Sequence, residues 1–210
     1  MNIDKEEIAR TLLNACAVTL RPTKPFIYAS GIKSPIYTDN RVLISSVSDR
    51  KKIISAFCEV IRSNWMPDVI AGVATAGIPW AAWVSAELNL PMIFVRASAK
   101  DHGKNNQIEG TLFKGNKVVV IEDLVSSGGS TLGVVQAIRD SGATVDGCVA
   151  IFTYGLKKSV DTFKSAKVEL ITLTDLKILL DVALQDNSLD KKQAKMVLEW
   201  AEDPEMWGAK

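Results

Sequence analysis

The sequence predicts an α/β fold: a central, mostly parallel five-stranded sheet with helices on both faces. Three observations carry this prediction. Apolar runs rich in β-branched residues recur at Asp68–Val73, Met92–Arg96, Lys117–Ile121, 145–153 and 168–173, as expected of parallel strands buried on both faces. Segments with helical spacing lie between or after them, at Ile78–Asn89, Thr131–Ile138 and 157–165. Two strand-to-helix junctions are turns of small residues, Gly72–Pro79 and Ser126–Ser130. Alternating strands and helices imply right-handed crossovers, with ligands at the C-terminal ends of the strands.

The elements follow in order. Asp4 and Glu7 form a capping pair ahead of a helix that runs to about Val18, with Ile8, Leu12, Ala15 and Cys16 on one face. Residues 22–45, dense in Pro, Gly and aromatic side chains, predict strands and turns. A helix is expected over 48–65, with Ile53, Ile54, Phe57, Val60, Ile61 and Trp65 inward. Pro79 suits the first turn of the helix after the first sheet strand. Residues 97–110 read as a polar loop, and Thr111–Phe113 is expected to pair locally. Two helices, about 174–185 and 188–202, close the chain.

Composition sets the bounds. A length of 210 residues fits one domain over 1–210. At 47% hydrophobic and 23% charged residues, a large core forms and global disorder is excluded. A net charge of +1 argues against a general nucleic-acid or membrane-surface role. No apolar run approaches the ~18 residues that span a bilayer, and the charged N-terminus is unlike a signal peptide. Cys16, Cys58 and Cys148 are widely spaced in mostly apolar settings, which reads as reduced, buried thiols in a cytoplasmic protein.

The run Lys117–Thr131 carries the chemistry. A buried strand leads to Glu122 and Asp123, then to a small hydroxyl-bearing loop, then to a helix with Leu132, Val135 and Ile138 on one side. Backbone N–H groups of such a loop, joined to a helix N-terminus, make an anion cradle. Two carboxylates would repel a bare phosphate but suit ribose hydroxyls or a divalent cation. Together they point to a phosphorylated sugar. The loop lacks Gly-x4-Gly-Lys-Ser/Thr and carries no lysine, so it is not a nucleoside-triphosphatase loop, and no Gly-x-Gly-x-x-Gly occurs. Gly72–Pro79 can offer N–H groups of Thr75 and Ala76 to a second anion, though many βα turns look alike. Arg96, Lys100, His102 and Lys104 cluster in the polar loop. They suit either closure over a polyphosphate or a solvated surface.

The Lys117–Thr131 run resembles the phosphoribosyl-pyrophosphate (PRPP) signature of type I phosphoribosyltransferases. Two further stretches narrow the resemblance to the orotate phosphoribosyltransferase family. One is Arg96, Lys100, Asp101, His102 and Gly103 followed by Glu109-Gly110; the other is the hood segment Phe26–Arg41, with Ser30-Gly31 and Ser34-Pro35. The resemblance spans about residues 20–155 and implies a small N-terminal hood, formed by about 20–45 with the C-terminal helices. Four positions depart from the family pattern: Ala29, Ala76 and Ala97 stand where basic residues are common, and Tyr154 stands near where an arginine often meets the orotate carboxylate. Lys33 and Arg41 are candidates to supply the missing charge.

The resemblance implies a glycosyltransferase that moves phosphoribosyl from PRPP to N1 of orotate in pyrimidine biosynthesis. It implies that Leu124, Val125, Ser126, Ser127, Gly128, Gly129, Ser130 and Thr131 surround the 5′-phosphate, and that Glu122 and Asp123 face the ribose. Thr75 and Ala76 lie near pyrophosphate, and Arg96, Lys100 and His102 close over it. Lys100, His102 and Asp123 are the catalytic candidates. Ser126, Tyr37 and Tyr154 are candidates for orotate, Tyr37 being equally readable as hood core. Mg²⁺ is expected, held mainly by PRPP and water without direct protein ligands. A homodimer that shares the mobile 97–110 lid between subunits is expected, with no nucleic-acid or membrane partner. Two rivals stay open at this point: a purine or uracil phosphoribosyltransferase, and a PRPP-sensing nucleic-acid-binding regulator. The hood and lid motifs oppose the first, and the near-neutral charge opposes the second.

Overall fold

The computed structural model describes residues 3–27, 31–96 and 107–208. Its elements, in chain order, are α1 (Lys5–Asn14), β1 (Val18–Leu20), β2 (Phe26–Ile27), β3 (Lys33–Ser34), β4 (Ile36–Thr38), a 3-10 helix (Asn40–Ile44), α2 (Val47–Asn64), β5 (Val69–Val73), α3 (Gly77–Leu88), β6 (Met92–Val95), β7 (Ile108–Glu109), β8 (Lys117–Val125), α4 (Gly129–Asp140), β9 (Thr144–Thr153), α5 (Lys157–Ala166), β10 (Leu170–Asp175), α6 (Leu176–Gln185) and α7 (Lys191–Glu202).

The main sheet has the order β10-β9-β8-β5-β6-β7. Its first five strands are parallel, as the sequence predicts, and β7 adds a short antiparallel edge beside β6. The local pairing expected at Thr111–Phe113 falls instead on Ile108–Glu109, where Phe94 and Val95 of β6 present an open edge. Strand alternation divides the core between the two faces. Ile70, Val119, Ile121, Val149 and Ile151 pack with α1, α2, α3, α6 and α7. Val69, Ala71, Val118, Val120 and Cys148 pack with α4 and α5. All are under about one-tenth exposed, which suits a sheet covered on both sides.

The hood is two antiparallel pairs, β1 with β4 and β2 with β3. Helix starts are specified locally. Asp4 accepts from the Glu7 N–H at 2.9 Å, Asp175 accepts from Ile178, and Asp190 with Gln193 forms a capping box. Those caps explain two shifts: α6 begins at Leu176 and α7 at Lys191, each later than hydrophobic spacing suggests. The first helix stops at Asn14, because Cys16 takes a left-handed conformation (φ 54°). That turn leaves Cys16 exposed, whereas Cys58 and Cys148 are buried; all three are free thiols.

Candidate active site

Strand β8 runs four residues beyond its apolar stretch. Its ladder with β9 continues through Glu122, Leu124 and Val125, so both carboxylates are held on a rigid strand and not on a loop. Glu122 is 5% exposed and Asp123 half-buried. The Glu122 carboxylate accepts from the Asp123 N–H at 3.0 Å and from the Thr131 hydroxyl at 3.3 Å. Burial, reinforced by the neighbouring Asp123 charge, pushes the Glu122 carboxyl well above the usual range. Burial also raises Asp123. Two adjoining carboxylates, neither in a salt bridge with a described residue, are poised to accept hydroxyls or face a cation.

After Val125 the chain turns through Ser126 and Ser127, both exposed, to Gly128. Gly128 has φ 85°, and a Cβ there would lie 2.8 Å from the Phe163 ring, so only glycine fits this corner. Helix α4 starts at Gly129, and no side chain caps it, which leaves its first N–H groups toward the cleft with Ser130 beside them. Val125 and Thr131 have their side chains inside: Val125 belongs to the core, and its carbonyl accepts from Thr153, while Thr131 turns its hydroxyl to Glu122.

The second small-residue turn approaches from β5. The Ala74–Thr75 peptide is cis, Thr75 is exposed, and Ala76 precedes Gly77, the first residue of α3. A Cβ on Gly77 would sit 2.5 Å from the Ile121 carbonyl oxygen, so glycine is what lets this turn lie against β8. A cleft of about 300 Å³ is thereby lined by Thr75, Ala76, Glu122, Asp123, Leu124 and Ser130, with Thr38, Asp39 and Arg41 from the hood. Arg41 binds Asp39 through two hydrogen bonds, 2.7 and 2.8 Å, and its guanidinium holds the Asp39 carboxyl below the usual range.

A second cavity of about 540 Å³ adjoins the first, sharing Thr38 and Leu124. Tyr37, Ser126, Ser127 and Tyr154 line it, with Lys157 and Lys158 of α5 and a C-terminal wall that includes Trp200 and Glu202. Tyr37 is 42% exposed and faces this space with its ring beside Phe26, so it is not hood core. Tyr154 is buried edge-on between the rings of Phe152 and Trp200. Sequence reading missed Thr38, Asn40, Lys157, Lys158 and Trp200. The lysines had a signal, lying just past the strand end where an arginine was expected; Asn40 had none.

Arg96 sits at the root of the polar loop, 3.1 Å from Glu109 and over the Phe94 ring. It does not line either cavity. Lys100 and His102, with Ala29, Ala97 and Lys104, lie outside the described residues.

Two cavities at the C-terminal ends of parallel strands, one acidic with backbone anion cradles and one apolar with aromatic walls, define a site of the phosphoribosyltransferase class. The family of the phosphoribosyl transferase domain matches residues 46–187. The chain is 50% identical over 209 residues to an orotate phosphoribosyltransferase of Listeria innocua, covering 99% of this chain and 100% of that one. It is 50% identical over 204 residues to the Enterococcus faecalis protein of the same name, covering 97% of each. The crystal structure of orotate phosphoribosyltransferase from Aeropyrum pernix superposes with a TM-score of 0.74 at 29% identity, over 83% of this chain and 96% of that one. The chain belongs to the orotate phosphoribosyltransferase family. No helix among the described residues is long and apolar enough to cross a membrane.

Proposed function

We propose that the protein transfers the phosphoribosyl group of PRPP to N1 of orotate, producing orotidine 5′-monophosphate and pyrophosphate for pyrimidine nucleotide biosynthesis in the cytoplasm. The observation that carries this reading is the meeting of the two cavities at Thr38 and Leu124. A phosphorylated sugar in the acidic cleft presents its anomeric carbon to a flat ring in the apolar one.

The backbone of Ser126–Thr131 and the N-terminus of α4 hold the 5′-phosphate. Glu122 and Asp123 accept the ribose hydroxyls. Backbone groups at Thr75 and Ala76, with Arg41 nearby, face the pyrophosphate. The C1′–oxygen bond to pyrophosphate breaks as C1′–N1 forms with inversion, and the leaving oxygen takes the electron pair. Orotate binds as its ring-nitrogen anion, so no strong base is needed, and positioning with charge compensation supplies most of the rate. Tyr37 and Ser126 hold the ring from the hood and loop sides, and Tyr154 backs it.

Glu122 and Asp123, side by side in the acidic cleft, would face Mg²⁺ held chiefly by PRPP oxygens and water. Mg²⁺ bound there would spread the charge of the leaving pyrophosphate. Lys100 and His102, with Arg96 at the loop's root, close over the pyrophosphate of the partner subunit in a homodimer.

The decisive experiment is absorbance at the orotate band on mixing protein, orotate, PRPP and Mg²⁺. A fall that requires both PRPP and Mg²⁺ and disappears with EDTA is expected. An unchanged band with folded protein would overturn the reading.

A further inference from the structure

We propose that Lys157 and Lys158, the first two residues of α5, recognise the carboxylate of orotate and set the preference for a carboxylated pyrimidine over uracil. This rests on the phosphoribosyl-transfer reading and supplies the partner that Tyr154, in the arginine's place, lacks.

The first support is elimination. Lys157 and Lys158 are the cationic side chains lining the base cavity among the described residues. The other candidates are committed elsewhere. Lys33 donates from Nζ to the Gly208 carbonyl at 3.2 Å. Arg41 is bound to Asp39 through both ends of its guanidinium and lines the neighbouring cleft. Tyr154 is buried in an aromatic stack and brings no positive charge.

The second support is where the lysines stand. Helix α5 has ten residues, no side-chain cap and no acid in its first turn. A helix N-terminus carries partial positive charge and favours acidic residues, so two lysines in succession are locally unfavourable. The arrangement instead concentrates positive potential on one wall of a cavity. Local choices against helix stability are expected where a site demands them. Both lysines are exposed, and neither ammonium forms an ion pair within the described residues.

The third support is the rest of the lining. Tyr37 and Trp200 give the cavity aromatic walls that suit a flat ring, which leaves a negative substituent on that ring to the lysines. Glu202 and Glu205 also line the cavity. They repel a carboxylate, which orients it toward the α5 wall.

Calorimetry with orotidine 5′-monophosphate and uridine 5′-monophosphate tests the assignment, because the two ligands differ only in the carboxylate. The wild type is expected to bind the carboxylated nucleotide at least ~10-fold more tightly. In the Lys157→Gln/Lys158→Gln double variant that ratio should fall to within ~2-fold, through loss of the carboxylated ligand alone, and Lys→Arg at both positions should restore most of it. A folded double Gln variant that keeps the wild-type ratio overturns the assignment. A wild type that consumes orotate but shows no preference overturns it too, while leaving the reaction standing. A wild type that neither consumes orotate nor binds either nucleotide overturns the underlying reading and this inference with it.

Discussion

Asn40 donates from its Nδ2 to the backbone carbonyl of Asp123 at 2.7 Å, joining positions 83 residues apart in sequence. The bond ties the start of the hood's 3-10 helix to the strand that carries both carboxylates. Asn40 is 1% exposed, so this link forms in a nearly dry setting where an unpaired partner is costly. It fixes how the hood, with Thr38 and Arg41, sits over the acidic cleft.

Asn40→Ala should therefore lower stability by about 1–2 kcal/mol and weaken PRPP binding several-fold. Thermal melting and calorimetric titration with PRPP check the two effects. A variant matching the wild type in both would show that the hood is registered by other contacts.

Gly77 allows a test in which propensity and packing predict opposite signs. Within an α-helix, Gly→Ala ordinarily stabilises by up to about 1 kcal/mol. Here the added Cβ would lie 2.5 Å from the Ile121 carbonyl oxygen, which is backbone and cannot swing aside. Gly77→Ala should instead destabilise by about 2–4 kcal/mol and raise KM for PRPP, as the turn is pushed off β8. Denaturant unfolding measures the sign directly, and a more stable variant would refute the close-approach argument.

The parallel strands, the helices between them and both small-residue turns were legible because their signals are local. β-branched runs such as Val118–Ile121 and small-residue turns such as Ser126–Ser130 announce themselves within a few residues. Long-range effects were not legible. Strand β8 continues through two acids because its ladder with β9 supplies partners as far as Val125, which hydrophobicity alone does not reveal. Strand β7 exists only because β6 offers an edge. Asn40 belongs to a polar stretch with no helical or strand period, and its partner is 83 residues away. Lys157 and Lys158 look like ordinary solvated charges until α5 is placed beside the cavity lined by Tyr37 and Trp200.

Lys100 lies outside the described residues, and the role proposed for it rests on the family pattern. Lys100→Ala should lower turnover by at least ~100-fold through lost stabilisation of charge on the departing pyrophosphate, with little change in melting temperature. Steady-state kinetics at saturating PRPP and orotate decide this. Unchanged kcat would remove the lysine from the chemical step.

The carboxylate pair trades stability for binding, and pH exposes the trade. Burial, with the Asp123 charge second, pushes the Glu122 carboxyl up to about 9 from an ordinary value of 4.5. The folded state therefore holds this proton more tightly than the unfolded chain. The stability contributed by the neutral carboxyl is complete below pH 4.5 and is lost progressively as the pH rises toward 9. Glu122→Gln is neutral in both states and escapes that loss. Near the lower end of the window the variant and wild type should unfold alike, whereas at the upper end the variant should be more stable by on the order of 2 kcal/mol. PRPP affinity should move the other way, falling at least ~10-fold, because in the proposed complex the cation displaces the Glu122 proton and meets a carboxylate, which an amide cannot supply. Melting curves across that range, paired with PRPP titrations, separate the two effects. A stability difference that does not grow with pH would mean that Glu122 ionises in the folded protein as readily as in the unfolded chain, and the strain assigned to the pair would then be absent.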